Sequence, residues 1–354
     1  MYPDRKKIYD IHKDYGENLE LGPIWDGALP EVPEPAQKVE FMGRQLNSRL
    51  GVAASPLTAN SEYVTLMGLL GYDVITHKSV RSVKWEGNQF PHWAHVVPPA
   101  ILSGAILGNF VVSDLPIIGQ ESTMANSFGI HSAAPEFWQQ DVQDAAKALS
   151  PHQLMILSLM CTPIEGQTLV DDARVLAGLA AETDLTHFEL NLACPNTDGG
   201  AGLIYEDVEQ SFNMAVAMKE VLGGSRKLLI KVGRYTDQHM LREFMRRATG
   251  IIDGISSTNT YSANVTKKDG SEYFPGRSKA GISGAAVLPY SLRQAANLVQ
   301  FRDELGLDNF SIIGIGGVTK PADIEKYLEL GVDAVQSVVG VYENPYLATQ
   351  WKSK

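Results

Sequence analysis

Residues 311–338 read SIIGIGGVTKPADIEKYLELGVDAVQSV, and this stretch decides the fold. Two short apolar runs, Ser311–Ile315 and Asp333–Ser337, flank a segment with helical character at Pro321–Leu330. Proline is favoured in the first turn of a helix, and Thr319 just before it can serve as the N-cap. A strand, a helix and a second strand of this length form a parallel βαβ unit.

The same alternation recurs along most of the chain. From Arg49 onward, short apolar runs rich in β-branched residues alternate with longer amphipathic stretches. Eight such runs can be counted, and eight is the number of parallel strands that closes a (β/α)₈ barrel. We therefore predict an α/β fold, a TIM barrel with inserted loops. The predicted strands are Gly51–Ala54, Asp73–His77, Met155–Met160, His187–Asn191, Leu228–Lys231, Ile252–Ser257, Ser311–Ile315 and Asp333–Ser337.

Two regions lie outside the alternation. Residues 1–40 are polar and acidic with little apolar periodicity, so we predict an N-terminal extension followed by a barrel domain at 41–354. The stretch Val80–Leu149 contains tryptophans, prolines and several glycines, which favours elaborated loops and a helix at Phe137–Leu149. Another helix is predicted at Glu206–Leu222.

The composition excludes several classes of function. With 30 basic and 41 acidic residues the formal net charge is -11, which argues against nucleic acid or a membrane surface as partner. The two cysteines, Cys161 and Cys194, have neither disulfide nor metal-ligand spacing, so we expect no metal and a reducing compartment. No signal peptide and no apolar run of ~20 residues is present, so we expect a cytoplasmic protein.

Polar residues follow the ends of the predicted strands, where barrel enzymes carry their active sites. Asparagines offer both donors and acceptors and lysines offer donors and positive charge, which suits a flat ligand with a negative charge. Turn and capping roles are the alternative for any one of these residues. The set is Ala53-Ala54-Ser55, Lys78-Ser79, Asn191, Lys231, Asn259 and Gly316-Gly317.

The glycines at the seventh strand end indicate a phosphate site. Gly316 and Gly317 would let backbone N–H groups approach a phosphate, and the late strands carry the usual phosphate site of this fold. The segment Gln336–Gly340 at the eighth strand end could complete it. A generic tight turn is the alternative.

Cys194 lies three residues after the end of the fourth predicted strand, in a loop rich in turn-forming residues. A thiolate can act as a base when a carbonyl acidifies the substrate proton. A buried inert thiol is the alternative, and Cys161 fits that alternative better.

These residues resemble the dihydroorotate dehydrogenases, in particular the soluble class 1A type, over about Val39 to Tyr346. The most specific segment is Glu189-Leu190-Asn191-Leu192-Ala193-Cys194-Pro195-Asn196, which resembles the family's active-site signature with cysteine as base. Val39–Gly43 and Leu50–Ser55 resemble the family's earlier motifs. Asn126-Ser127-Phe128-Gly129-Ile130 is similar to the family's Asn-Ser-Met-Gly-Leu segment, with Phe128 in place of methionine.

The resemblance implies FMN as cofactor and assigns roles by position. It implies catalytic roles for Cys194 as the base and for Lys231 as the cation that stabilises reduced anionic flavin. The implied substrate-binding residues are Lys78, Asn126, Phe128, Gly129, Ile130, Asn191, Asn196, Asn259 and Thr260. The implied FMN-binding residues are Ala53, Ala54, Ser55, Lys78, Ser79, Asn126, Asn191, Lys231, Thr258, Gly281, Gly284, Gly316, Gly317, Val338 and Val339.

The resemblance also implies a reaction. Cys194 would remove the C5 proton of (S)-dihydroorotate while hydride passes from C6 to N5 of FMN, giving orotate for pyrimidine biosynthesis. Class 1A resemblance implies fumarate as electron acceptor and a homodimer. A class 1B enzyme would pass electrons to NAD through an iron–sulfur partner subunit, and this alternative stays open.

Three features depart from the family pattern. His77 stands before the lysine and Val339 stands where a hydroxyl is common, and the extension at 1–40 is foreign to the class 1A pattern. Two other functions remain as alternatives. One is an FMN-dependent dihydropyrimidine (dihydrouracil) dehydrogenase or a related flavin oxidoreductase, and the other is a non-catalytic barrel that binds FMN or a pyrimidine.

Overall fold

The computed structural model describes residues 8–25, 27–99, 108–193 and 204–354. Eight parallel strands close into a barrel in the order β10-β11-β14-β15-β3-β4-β8-β9. The strands of the described residues are β1 Val39–Phe41, β2 Arg44–Leu46, β3 Leu50–Val52, β4 Val74–Val80, β5 Trp93–Val97, β6 Asn109–Val112, β7 Thr123–Asn126, β8 Leu154–Leu159, β9 His187–Asn191, β10 Lys227–Val232, β11 Gly254–Ser257, β12 Tyr261–Thr266, β13 Lys279–Gly284, β14 Ser311–Ile315 and β15 Ala334–Ser337.

All eight predicted barrel strands are present, so the predicted TIM barrel is confirmed. Strand β9 and strand β14 match their predicted bounds, and β4 runs three residues further than predicted, to Val80. Strands β4, β8 and β9 are buried along their whole length. Continuous burial of this kind is expected where helices cover the outside of a parallel barrel.

The helices cover the barrel in the positions that the βα alternation predicts. The predicted Phe137–Leu149, Glu206–Leu222 and Pro321–Leu330 correspond to α3, α5 and α8 with small shifts of their ends. The helices are α1 Tyr15–Leu21, α2 Ser61–Leu69, α3 Pro135–Ala148, α4 Leu169–Ala181, α5 Val208–Leu222, α6 Gln238–Ala248, α7 Leu288–Glu304, α8 Pro321–Glu329, α9 Val339–Glu343 and α10 Leu347–Lys352, with 3-10 turns at Pro56–Thr58, Ile204–Glu206 and Ala285–Val287.

The predicted cap of α8 was wrong. The N-cap residue is Lys320, which makes no side-chain capping bond. The Thr319 hydroxyl instead donates to the carbonyl oxygen of Gln120 at 2.7 Å. Thr319 therefore joins α8 to the inserted region between β6 and β7.

The prediction of loops across Val80–Leu149 was incomplete, because part of this stretch forms a second, smaller barrel. Strands β5, β6 and β7 join β12 and β13 in the closed order β12-β13-β7-β5-β6. Val96, Phe110, Ala125 and Ile282 belong to its buried apolar core. Strand β13 pairs antiparallel with β7, so segments far apart in sequence meet above the main barrel.

The described part of the N-terminal extension packs against the protein. Helix α1 begins with a capping box formed by Asp14 and Glu17. Ile8, Tyr9 and Tyr15 are buried and belong to the main hydrophobic core. The sequence analysis did not predict helix α1 in this region.

Among the helices of the described ranges, none combines the length and the apolar character needed to span a bilayer.

Candidate active site

A cavity opens where the main-barrel strands end and the smaller barrel covers them. The space between its walls, counted together with its open mouth, is about 1030 Å³. Its walls come from both barrels and from the loop after β7. The lining residues are Ala53, Ala54, Ser55, Pro56, Lys78, Ser79, Trp93, Asn126, Phe128, Gly129, Ile130, Glu189, Asn191, Lys231, Thr258, Asn259, Thr260, Ile282, Ser283, Gly284, Val287, Ile315, Gly316, Gly317, Val318, Ser337, Val338 and Val339.

Most of the site residues that the sequence suggested meet at this one cavity. Cys194 and Asn196 lie outside the described residues, and Gly281 does not line the cavity. A Cβ at Gly281 would lie 2.2 Å from the Thr260 hydroxyl oxygen. Gly281 therefore sits behind Thr260 and lets that side chain take its place in the wall.

A chain of side-chain hydrogen bonds crosses the floor of the cavity. Asn259 Nδ2 donates to Asn191 Oδ1 at 3.2 Å, and Asn191 Nδ2 donates to Ser79 Oγ at 3.1 Å. Ser79 Oγ lies 2.8 Å from Ser158 Oγ, which donates to Glu189 Oε1 at 3.1 Å. Because the Ser158 proton points to the carboxylate, Ser79 is the donor of the hydroxyl pair. The chain fixes which way the Asn191 amide faces.

Glu189 and Lys231 form a buried charged pair at the base of the cavity. Their Oε2 and Nζ atoms are 3.9 Å apart, and Glu189 has no exposed side-chain surface. Ser256 donates a short hydrogen bond to the same carboxylate. Burial lowers the pKa of Lys231, and the charge of Glu189 opposes that shift.

The sequence analysis assigned no role to Glu189, although this residue begins the most specific motif. Its signal was an acidic residue inside an otherwise apolar predicted strand, His187–Asn191. A fully buried carboxylate requires hydrogen-bond and charge partners. Ser158, Ser256 and Lys231 provide them.

Glycines after β14 and β13 shape a different part of the wall. Gly316 and Gly317 have φ of 118° and 78°, in the region that favours glycine. A Cβ at Gly317 would lie 2.4 Å from Leu288 Cα, and one at Gly284 would lie 2.3 Å from the Ser122 carbonyl oxygen. Only hydrogen fits at these positions, so the backbone itself faces the cavity.

These features fit FMN. Gly316 and Gly317 bring backbone to the wall beside Val338 and Val339, and Lys231 and the asparagines line the same cavity. Backbone N–H groups suit a phosphate, and a lysine suits the negative charge of a reduced ring. Apart from Gly281, the residues that the resemblance assigned to FMN thus line one cavity.

The segment Asn126–Ile130 closes the cavity from the side. Phe128 is buried, and its ring stacks on His92 with centroids 5.2 Å apart. Tyr9 and Tyr15 contact Phe128 edge-on, with centroids 6.3 Å away in each case. The N-terminal extension therefore lies directly behind a residue of the cavity wall.

His77 faces away from the main cavity and lines a second cavity, which shares Lys78 and Ser79 with it. His77 Nε2 lies 3.2 Å from Asp141 Oδ2 on α3, which is a structural contact. His131 lines the same second cavity, and burial with nearby His92 and Lys78 lowers its pKa to about 3. His131 is therefore neutral near pH 7.

Trp93, Ile282 and Val287 also line the main cavity, and sequence reasoning missed them. Trp93 lies on β5 and Ile282 on β13, both in the smaller barrel that was not predicted. Their apolar character carried no sign of a site. Knowledge of how the strands of the smaller barrel pair would have been needed to place these residues at the cavity.

Comparisons with known proteins agree with this geometry. The family model described as "Dihydroorotate dehydrogenase" matches residues 116–354, which is more than half of the chain. The chain belongs to the dihydroorotate dehydrogenase family. Enzymes of this family are FMN-dependent oxidoreductases that act on a CH–CH group, and FMN is therefore the cofactor of this chain.

The chain is similar to relatives that are named for different electron acceptors. A dihydroorotate dehydrogenase of Dictyostelium discoideum is 28% identical, covering 99% of this chain and 98% of that protein. A catalytic subunit of the NAD(+) form from Brachyspira hyodysenteriae is 22% identical over 87% of this chain and 89% of its own length. A quinone form from Neisseria gonorrhoeae is 23% identical over 99% and 98%.

Solved structures show the same fold. The ligand-free enzyme of Eimeria tenella superposes with a TM-score of 0.69 at 17% identity, covering 92% of this chain and 88% of that one. At this identity the likeness shows the fold alone.

Proposed function

We propose that this chain oxidises (S)-dihydroorotate to orotate, the step of pyrimidine biosynthesis that introduces the C5–C6 double bond into the ring. One observation carries the proposal: Lys78, Asn126, Asn191 and Asn259 come from separate segments and line one cavity beside Lys231. Amide side chains and a cation match the alternating donors and acceptors and the carboxylate of a dihydropyrimidine acid. The family membership supports the same substrate.

The asparagines orient the substrate. Asn191 is held by Asn259 on one side and by Ser79 on the other, so its amide is fixed before the substrate arrives. The backbone N–H of Ala193 also donates to Asn191 Oδ1 at 3.2 Å. A preorganised polar wall positions the reacting carbon atoms without further rearrangement.

Lys78 binds the carboxylate in this proposal. It follows His77 on β4, is buried, and lines the cavity close to Ser79. The attraction between a buried ammonium group and an anion is strong, because little water screens the two charges. This local charge allows an anionic substrate to bind although the net charge of the chain is -11.

Cys194 is the proposed base. It directly follows Ala193, whose backbone is tied to Asn191, and its own position lies outside the described residues. The C5 hydrogen of dihydroorotate is α to a carbonyl, so a thiolate can accept it as a proton. The loss of that proton from C5 accompanies the loss of hydride from C6.

FMN, when bound, supplies the two-electron acceptor for that hydride. The residues that would hold its phosphate end are Ser55, Gly284, Gly316, Gly317, Val338 and Val339, and Thr258 and Ser79 line the same cavity. Lys231 holds a positive charge at the base of the cavity, with Glu189 limiting the fall of its pKa. A protonated Lys231 stabilises negative charge that develops near it.

The finer assignment is a class 1A-like enzyme with fumarate as electron acceptor and a homodimeric assembly. It is supported by the cysteine in the signature segment and by the motif resemblance along the chain. Anaerobically reduced enzyme should be reoxidised by fumarate faster than by NAD or by a short-chain quinone. Faster reoxidation by NAD or quinone would contradict the class assignment but would not bear on the proposed substrate.

Steady-state turnover tests the substrate. The purified holoenzyme should produce orotate from dihydroorotate and should show little activity with dihydrouracil at equal concentration. The reverse preference would support a dihydropyrimidine dehydrogenase instead.

A further inference from the structure

Arg81 is the largest fully buried side chain of the described residues that carries a charge. It follows Val80, the last residue of β4, three positions after Lys78. Burying a guanidinium group costs free energy unless its N–H groups meet hydrogen-bond acceptors. The hydrogen-bond partners of Arg81 therefore indicate the role of this residue.

The guanidinium joins two separate parts of the active-site rim. Arg81 Nε donates to the carbonyl oxygen of Ile130 at 3.1 Å. Arg81 Nη1 donates to the carbonyl oxygen of Cys161 at 3.1 Å and to Thr162 Oγ1 at 3.3 Å, both just after β8. Its carbon Cζ lies 4.8 Å from the centre of the Trp85 ring, which fixes the plane of the fork.

Ile130 has a backbone conformation that its side chain disfavours. Its φ is 55°, in the left-handed region, and it is β-branched. Such a residue keeps this conformation only when its surroundings impose it. Gly129 before it has φ of 67°, so two consecutive residues of the wall are left-handed.

Other contacts hold this segment at its two ends and in its middle, where Asn88 N donates to the Phe128 carbonyl oxygen at 2.9 Å. Ser127 N donates to the His92 carbonyl oxygen at 2.8 Å at one end. At the other end Arg81 N donates to Ser132 Oγ at 2.9 Å. The Ile130 carbonyl oxygen itself accepts a hydrogen bond from Arg81 Nε.

We propose that Arg81 is a positioning residue: its guanidinium holds the Ile130 carbonyl group and thereby fixes Asn126–Ile130 in the shape that binds the pyrimidine acid. The substrate part of this inference rests on the proposed function. Arg81 does not line the main cavity, so it acts through Ile130, which does. Lysine cannot replace it, because one ammonium group cannot serve acceptors on both sides in a fixed plane.

The test compares Arg81→Lys with Arg226→Lys. Arg226, just before β10, is a matched control, since its guanidinium also donates to three oxygen atoms, in this case the carbonyl oxygens of Leu185, Leu222 and Ala181, away from Asn126–Ile130. Arg81→Lys should raise the KM for dihydroorotate and the Kd of orotate at least tenfold at unchanged FMN content. Arg226→Lys should change neither constant more than twofold.

Amide hydrogen exchange of the substrate-free holoenzyme tests the positioning role without any substrate. Exchange across residues 126–132 should accelerate at least tenfold in Arg81→Lys and stay unchanged in Arg226→Lys. If the wild-type enzyme does not act on dihydroorotate, the proposed function fails and this exchange result still decides the role of Arg81. Unchanged exchange at 126–132 overturns the inference.

Two further outcomes also decide it. Orotate affinity and KM within twofold of wild type in Arg81→Lys overturn the proposal, as does an equal loss in Arg226→Lys. If Arg81→Lys yields no folded holoenzyme, the same measurements are made on Arg81→Gln. Glutamine keeps one hydrogen-bond donor for the Ile130 carbonyl group. Arg81→Gln is then expected to lose less affinity for orotate than Arg81→Met.

Discussion

At the scale of single residues, the two cysteines have different expected roles. Cys161 is fully buried, and burial together with the charge of Asp172 raises the pKa of its thiol. A thiol in that state is a poor base and a poor nucleophile. Cys194 follows Ala193, whose backbone bonds to the Asn191 side chain at the cavity wall.

Cys194→Ala should therefore slow flavin reduction by dihydroorotate about 10²- to 10⁴-fold, the usual contribution of a general base. FMN should stay bound, because Cys194 is not among the residues proposed to hold it. Cys161→Ala is the control and should leave the rate of flavin reduction within about twofold. Stopped-flow absorbance measures both, and a normal rate in Cys194→Ala would remove this residue from the mechanism.

The burial of Lys231 leads us to predict that the rate of flavin reduction depends on pH. Burial lowers its pKa below that of an ordinary lysine, so the protonated form is lost on the alkaline side at a lower pH. The rate of flavin reduction should fall as pH rises through that value, because the stabilising cation disappears. Lys231→Met should be slow at all pH values and should lack this alkaline fall. A profile in Lys231→Met that keeps the same fall would assign it to another group.

Sequence patterns found the donors and the lysines of the site but missed its acid. Lys78, Asn191 and Lys231 follow or end predicted strands, which is where a barrel places its chemistry, and all three line the cavity. Glu189 lies inside a strand, and only the structure shows the hydroxyl groups and the lysine that make its burial tolerable. Arg81 was missed for the same reason.

At the scale of elements, the turn from β14 into α8 is the most sharply constrained part of the site. Gly317→Ala should strain a left-handed backbone, by about 1 to 2 kcal/mol, and should also crowd Leu288, by about 1 to 3 kcal/mol. Gly331→Ala is a matched control, with φ of 93° and no neighbour nearer than 3.5 Å. Both variants should lose stability, measured by denaturant unfolding, but only Gly317→Ala should also lose FMN, measured by flavin fluorescence. Equal FMN retention in both variants would contradict a phosphate role for this turn.

The main barrel was predictable because its strands are continuous apolar runs separated by helices, as at β9 and β14. The smaller barrel was not predictable in this way. Its strands are short, and β7 pairs with β13, which lies more than a hundred residues further along the chain. Local patterns do not encode such pairings, and this is why Trp93 and Ile282 were missed as wall residues.

At the scale of the whole molecule, the N-terminal extension is part of the active-site support. Tyr9 and Tyr15 pack on Phe128, and Tyr15 also stacks on His131 with centroids 4.5 Å apart. The Tyr63 hydroxyl donates to the carbonyl oxygens of Asn18 and Gly22 at 3.3 Å. The extension thus braces the cavity wall from outside.

Tyr9→Ala should lower the free energy of unfolding by about 3 to 5 kcal/mol, the cost of emptying a buried aromatic site. It should also raise the KM for dihydroorotate, since Phe128 loses a neighbour. Tyr9→Phe is the matched control and should be nearly neutral, because the Tyr9 hydroxyl has no hydrogen-bond partner among the described residues. Denaturant unfolding and steady-state kinetics measure the pair, and a stability loss in Tyr9→Phe equal to that in Tyr9→Ala would refute the packing argument.

An anaerobic titration of the FMN-loaded protein with dihydroorotate tests the central claim most directly. We predict that one equivalent bleaches the flavin absorbance and releases one equivalent of orotate, whereas the same amount of dihydrouracil leaves the flavin oxidised. Flavin that stays oxidised with excess dihydroorotate would contradict the account.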